Sequence, residues 1–166
     1  MIAGARIGVL TLLLGVITTV QQEGAGTVSM LERLALRVAV ERAVGVVKPG
    51  SRVVIDPMIV SAGDAPGART ASRRDEQRND ALSAEVGARV LSGETVLDCT
   101  VRPCSLRDAD VFVSLSAPMI MGNRGTVSVT TLQRARRGLH YRTISVHMER
   151  LGATWKVVGV TELGVS

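Results

Sequence analysis

Residues 139–150 read Leu-His-Tyr-Arg-Thr-Ile-Ser-Val-His-Met-Glu-Arg. Ile144, Val146 and Met148 alternate with Thr143, Ser145, His147 and Glu149. That two-residue period belongs to a strand with one face on a core and the other in water. Two more β-branched runs flank it, Thr126 to Arg134 and Thr154 to Leu163, joined through the short links Ala135 to Gly138 and Leu151 to Ala153. Short links between long strands predict an antiparallel meander of three. Further upstream, Thr95 to Val101 and Val111 to Ala117 have the same composition and read as two additional strands.

Before residue 94 the pattern changes. In Val28 to Val47 the apolar residues Leu31, Leu34, Ala35 and Val38 share one side, with Arg33, Arg37 and Glu41 on another, which predicts a largely buried helix stopped at Lys48-Pro49-Gly50. Arg52 to Ile55 reads as a short strand ending at Asp56-Pro57, and Ser61 to Ala71 as a surface loop rich in turn formers. A second helix is expected from an N-cap at Ser72 or Asp75 to Leu91, with only its Leu82, Val86 and Val90 half able to dock. The fold class is therefore α+β: two helices packed on one face of a curved, mainly antiparallel sheet with a C-terminal three-strand meander.

A chain of 166 residues with 46% hydrophobic and 21% charged residues is a folded domain, not a disordered tail or a coiled coil. The net charge of +5 arises from 18 arginines and two lysines dispersed along the chain. With only Phe112, Tyr141 and Trp155 as aromatics there is no stacking platform, so nucleic acid is not an expected partner. Arg6 followed by the uncharged, mostly apolar run Ile7 to Val20 has the layout of a signal peptide and is too short to span a bilayer. The expected organisation is a signal peptide at 1–20, a Gly-rich spacer at 21–27 and a single domain at 28–166. The mature chain is expected to be exported, periplasmic or extracellular, and without a stable membrane span.

Cys99 and Cys104 lie five apart. Four zinc ligands would require both histidines as well, so no metal is expected, and an oxidising compartment favours a local disulfide between the two. The Asp108-Ala-Asp110 pair could hold a cation or do acid–base work, but it falls in a turn where Asp bonds backbone. Asp75, Glu76 and Asp80 read as a solvated helix face, and Ser116 has no nucleophile-elbow context. No phosphate loop, dinucleotide fingerprint or zinc-protease helix occurs, and no cofactor is expected. His140 and His147, seven apart on one strand, point to opposite faces and cannot share a ligand. His140 and Arg142 fall on the apolar side where the face could open into a cleft, and they are the candidate ligand-binding pair, with His140 also the candidate catalytic residue.

The ending Arg-Gly-Leu-His-Tyr-Arg-Thr-Ile-Ser-Val-His-Met-Glu-Arg-Leu-Gly-Ala-Thr-Trp-Lys-Val-Val-Gly-Val, residues 137–160, resembles the C-terminal hairpin of NTF2-like (cystatin-like cone) domains. The segment from Ser114-Leu-Ser-Ala-Pro to Val129 resembles exported bacterial proteins of unknown function. The likeness covers the last third of the chain and implies a conical fold with a pocket between helices and sheet. Members use that pocket for catalysis, or only for binding or assembly. Three readings follow. The first is an exported, non-enzymatic domain binding a small ligand or a protein. The second is an NTF2-like enzyme using His140 and Arg142, and the third a self-assembling module, with a homodimer as its simplest form.

Overall fold

A computed structural model describes residues 13–44, 51–60, 71–100, 102–135 and 138–165. Residues 61–70 of the expected Ser61 to Ala71 loop, the helix stop at Lys48-Pro49-Gly50 and the first twelve residues of the signal segment lie outside them, while Ala71 belongs to a strand, not to the loop. The architecture is α+β with a mixed sheet, and strands predominate.

Helix α1 spans Leu13–Val44, longer than the expected Val28 to Val47 helix at its start because the backbone stays helical through the segment read as a Gly-rich spacer. Strand β1, Val53–Val60, continues through Asp56-Pro57 instead of ending there. Proline lacks an N–H for the ladder, and the pairing with the neighbouring strand is irregular between Ile55 and Ile59 to accommodate it. β2, Ala71–Arg73, returns antiparallel to the end of β1. Helix α2 is Glu76–Val86, shorter than expected at both ends. Asp75 caps its N-terminus by accepting from the Arg78 N–H at 2.8 Å, and Gly87, left-handed at φ 64°, closes it. The released residues Arg89–Val90 form β3, which runs parallel to β1.

The segment expected as one strand at Thr95 to Val101 is instead a helical turn, α3 at Gly93–Val96, followed by β4 at Leu97–Asp98. β4 pairs antiparallel with β5, Ser105–Leu106. This small hairpin is separate from the main sheet. Then come β6 (Val111–Ser116), β7 (Met119–Met121), β8 (Arg124–Ala135), β9 (Gly138–Leu151) and β10 (Thr154–Val165). The main sheet has the order β10-β9-β8-β6-β1-β2, with β3 on β1 and β7 on β8. Its C-terminal part is an antiparallel meander, whereas β1 lies parallel to both β6 and β3.

The main core joins Leu31, Ala35, Leu36, Ala39 and Ala43 of α1 to Val111, Val113, Leu115, Val127, Val129, Ile144, Val146, Met148 and Trp155 of the sheet. Cross-strand partners share a face. The register of Ile144 with Val129, and of Val146 with Val127 and Val160, therefore continues this apolar side over the meander. Close approach is needed where the helix crosses β8: a Cβ at Gly125 would meet the Leu31 side chain at 3.1 Å and the Trp155 ring at 3.3 Å. A second, smaller core forms on the opposite side of the sheet. Val96, Leu106 and Ala109 close over Val54 and Phe112, with Leu97, Leu132 and Leu139 packed against them.

Candidate functional site

Among the described residues the face opposite α1 is covered at one end. Phe112 and Leu132 meet the flap of α3, β4 and β5, and the exposed Tyr141 extends their row. Beyond the flap the register sets small hydroxyl side chains beside one another across the strands. Ser114 pairs with Thr130 and Thr130 with Thr143, while Ser128 pairs with Ser145 and Ser145 with Thr161. The next row carries Met119, Thr126 and His147, and the last Met121, Arg124, Glu149 and Lys156. Hydroxyls bond sideways along this ladder: Thr130 Oγ1 lies 3.0 Å from Thr143 Oγ1, and Thr143 Oγ1 donates to Tyr141 Oη at 2.7 Å. A hydroxyl donates once and accepts twice, so the half-buried Ser114, Ser128, Thr130 and Thr143 and the exposed Thr161 retain capacity toward solvent or a ligand, while Ser145 is buried among them.

His147 occupies the middle of this face. Its Nδ1 lies 3.4 Å from Thr126 Oγ1 and its Nε2 3.0 Å from Thr161 Oγ1, so hydroxyls on both neighbouring strands hold the ring. The alternation in residues 143–149 already places His147 on the polar face. Its two partners come from other strands and become visible only through the cross-strand register.

His140 and Arg142 lie on the helix side of β9, opposite Gln133 and Thr131 of β8. Gln133 and Thr131 are buried, so this end of the core side is polar. Arg142 Nη2 donates to Glu162 Oε2 at 2.9 Å, while its Nε is buried without a hydrogen-bond partner. His140 is half-buried and has no carboxylate partner among the described residues. His140 and His147 face opposite sides of the sheet, and no group of three or more His, Cys, Asp or Glu side chains suited to a metal occurs among the described residues.

Cys99 and Cys104 form a disulfide, Sγ–Sγ 2.12 Å, closing the hairpin of β4 and β5. Beside it Asp98 accepts from the Thr100 hydroxyl at 2.6 Å and from Arg107 at 2.9 Å, which together hold its carboxyl down at about 2. The flap rests on the start of β9: Gly138, at φ 95°, leaves a Cβ only 2.8 Å from the Pro103 ring.

Asp108 and Asp110 do not form a two-carboxylate site. Asp110 accepts the Arg52 backbone N–H at 2.8 Å, which lowers its pKa, and Asp108 meets the Arg52 guanidinium at 3.4 Å with its own backbone at φ 49°. Both fix a turn. Ser116 is similarly occupied: its hydroxyl accepts from Ser128 N at 2.9 Å and donates to Ala117 O at 3.1 Å.

A buried ion cluster, not foreseen from sequence, ties α1 to α2. Glu32 is wholly buried and accepts from Arg74 Nε at 3.3 Å and from Arg78 Nη2 at 2.6 Å. Arg74 also donates to Asp56 O at 2.8 Å and to Asn79 Oδ1 at 3.2 Å. Burial lowers the pKa of the Arg74 guanidinium, and burial raises that of the Asp56 carboxyl. Two arginines on one buried carboxylate make a structural clamp between the helices. Comparison with protein-family models, with curated proteins and with solved structures finds no match to this chain.

Proposed function

We propose that this protein is an exported, non-enzymatic binding domain that engages a small polar ligand or a protein segment through the hydroxyl-lined face of its meander. The observation that carries the reading is the ladder of Ser114, Thr130 and Thr143 beside Ser128, Ser145 and Thr161, left uncovered by the flap and centred on a doubly held His147. A preformed array of neutral donors and acceptors suits recognition without a desolvated charge. The disulfide at Cys99 and Cys104 and the signal-peptide layout of residues 1–20 support export. The order of helices before a meander, with Thr154-Trp155-Lys156 after a tight turn, supports an NTF2-like assignment.

The alternative enzyme reading places a ligand between α1 and the polar end of the core side, with Arg142 Nε as its donor. The two are separated by ligand screening. Mono- and disaccharides, polyols and short peptides are scored by the thermal shift they give the full chain. Every hit is then repeated on a variant lacking four hydroxyls, Ser128→Ala, Thr130→Val, Thr143→Val and Thr161→Val. Loss of the shift there, with retention in His140→Ala, is the expected outcome. The reverse pattern removes the hydroxyl face and favours the pocket.

A further inference from the structure

The end of the sheet farthest from the disulfide presents apolar side chains to solvent on two neighbouring hairpins. Met119, Ile120 and Met121 on β7 are 58%, 41% and 74% exposed, and Leu151 at the end of β9 is 51% exposed. The two tips are locked side by side: Arg150 N donates to Asn123 O at 2.7 Å, and Asn123 Nδ2 to Glu149 Oε1 at 3.1 Å. Around them stand the exposed cations Arg124, Arg150 and Lys156, none in an ion pair among the described residues. Glu149 is the one acid in residues 119–126 and 147–156.

Helix α1 enters from the same end. Its Leu31 lies against Gly125 and Trp155, close to these tips. It runs alongside α2 in the same direction, since Glu32 meets Arg78 and Arg37 meets Glu85. α2 leads to β3, whose Arg89 pairs with Val54 beside the Arg52 and Asp110 contact at the opposite end. The turns of α1 before Leu31 therefore extend beyond the tips, at about 1.5 Å per residue, and begin with the uncharged run Leu13 to Val20.

We propose that this end docks on an anionic lipid bilayer, with Met119, Ile120, Met121 and Leu151 entering the headgroup region while Arg124, Arg150 and Lys156 meet lipid phosphates. Exposed apolar tips rimmed by unpaired cations combine the two attractions that hold peripheral proteins at membranes, and the net positive charge of the rim specifies the sign of the lipid. The docking places the disulfide flap away from the bilayer and leaves the hydroxyl face open at the side.

The experiment uses the full chain with vesicles of phosphatidylglycerol and phosphatidylcholine, and vesicles of phosphatidylcholine alone. Tryptophan is introduced by Met121→Trp at the tip and, as a control, by Leu163→Trp near the other end of β10. Quenching by brominated lipid is expected for Met121→Trp in the anionic vesicles and not for Leu163→Trp. Arg124→Glu with Lys156→Glu is expected to weaken vesicle binding by at least about tenfold, with the emission of buried Trp155 reporting that the fold is intact. Equal quenching at both positions, no quenching at Met121→Trp, or binding indifferent to the charge reversal overturns the proposal. A blue shift of Met121→Trp that grows with protein concentration in the absence of lipid also overturns it, and assigns the tips to a second copy of the chain.

Discussion

Glu32 has no exposed surface and faces two arginines, and this makes its substitution informative. Removing one partner of a buried charge cluster strands the others, so Glu32→Ala should cost about 3–5 kcal/mol in urea unfolding. Arg37 and Glu85 join the same two helices at the surface, with Arg37 57% exposed. Glu85→Ala should cost less than about 1 kcal/mol. Asp98 gives a pH prediction. Its carboxyl is held at about 2 in the folded chain, below the unfolded value of about 3.9. The stabilisation is fully present above the unfolded value and is lost as pH falls from about 4 toward 2. Asp98→Asn should flatten the acid limb of a denaturation-midpoint curve across that window and leave its slope near neutral pH unchanged. Neither interaction was legible in the sequence. Glu32 lies 42 residues from Arg74, and nothing local distinguishes a buried carboxylate on an amphipathic helix from an exposed one.

The meander could be read at the level of elements because alternation and short links constrain it locally, and β8, β9 and β10 span the three segments identified from sequence. Other boundaries depended on single residues. Gly87 ends α2 well before Leu91 because its left-handed backbone closes the helix, a signal present in the sequence but outweighed there by the four-residue spacing of Leu82, Val86 and Val90. Asp56-Pro57 was read as a strand end, yet β6 and β2 supply partners on both sides and carry the strand across it. Gly138 tests how the disulfide flap is seated. Gly138→Ala adds a Cβ 2.8 Å from the Pro103 ring at a backbone angle of 95°, and should cost about 1–3 kcal/mol in thermal or urea unfolding. Gly152→Ala also has a positive φ, but no atom lies within 4 Å of the added Cβ, so it should cost less. Equal losses at the two positions would mean that the flap does not bear on the start of β9.

The two faces of the sheet differ in how they are covered. One is closed by α1; among the described residues the other is closed at one end by the flap, carries hydroxyls over its middle and ends in the exposed Met119 and Met121. The apolar alternation and the polar face were both legible in residues 143–149. The ladder was not, because it is assembled from four strands and depends on register, which the sequence leaves open until the strand order is known.

The most direct test of the account is an amide chemical-shift map of the uniformly labelled full chain, titrated with the strongest ligand from the polar panel. Binding at the hydroxyl face predicts perturbations clustered at Ser128, Thr130, Thr143, Ser145, His147 and Thr161, with Gln133, His140 and Arg142 unmoved. Perturbations centred on His140 and Arg142, with the hydroxyl ladder silent, would contradict it.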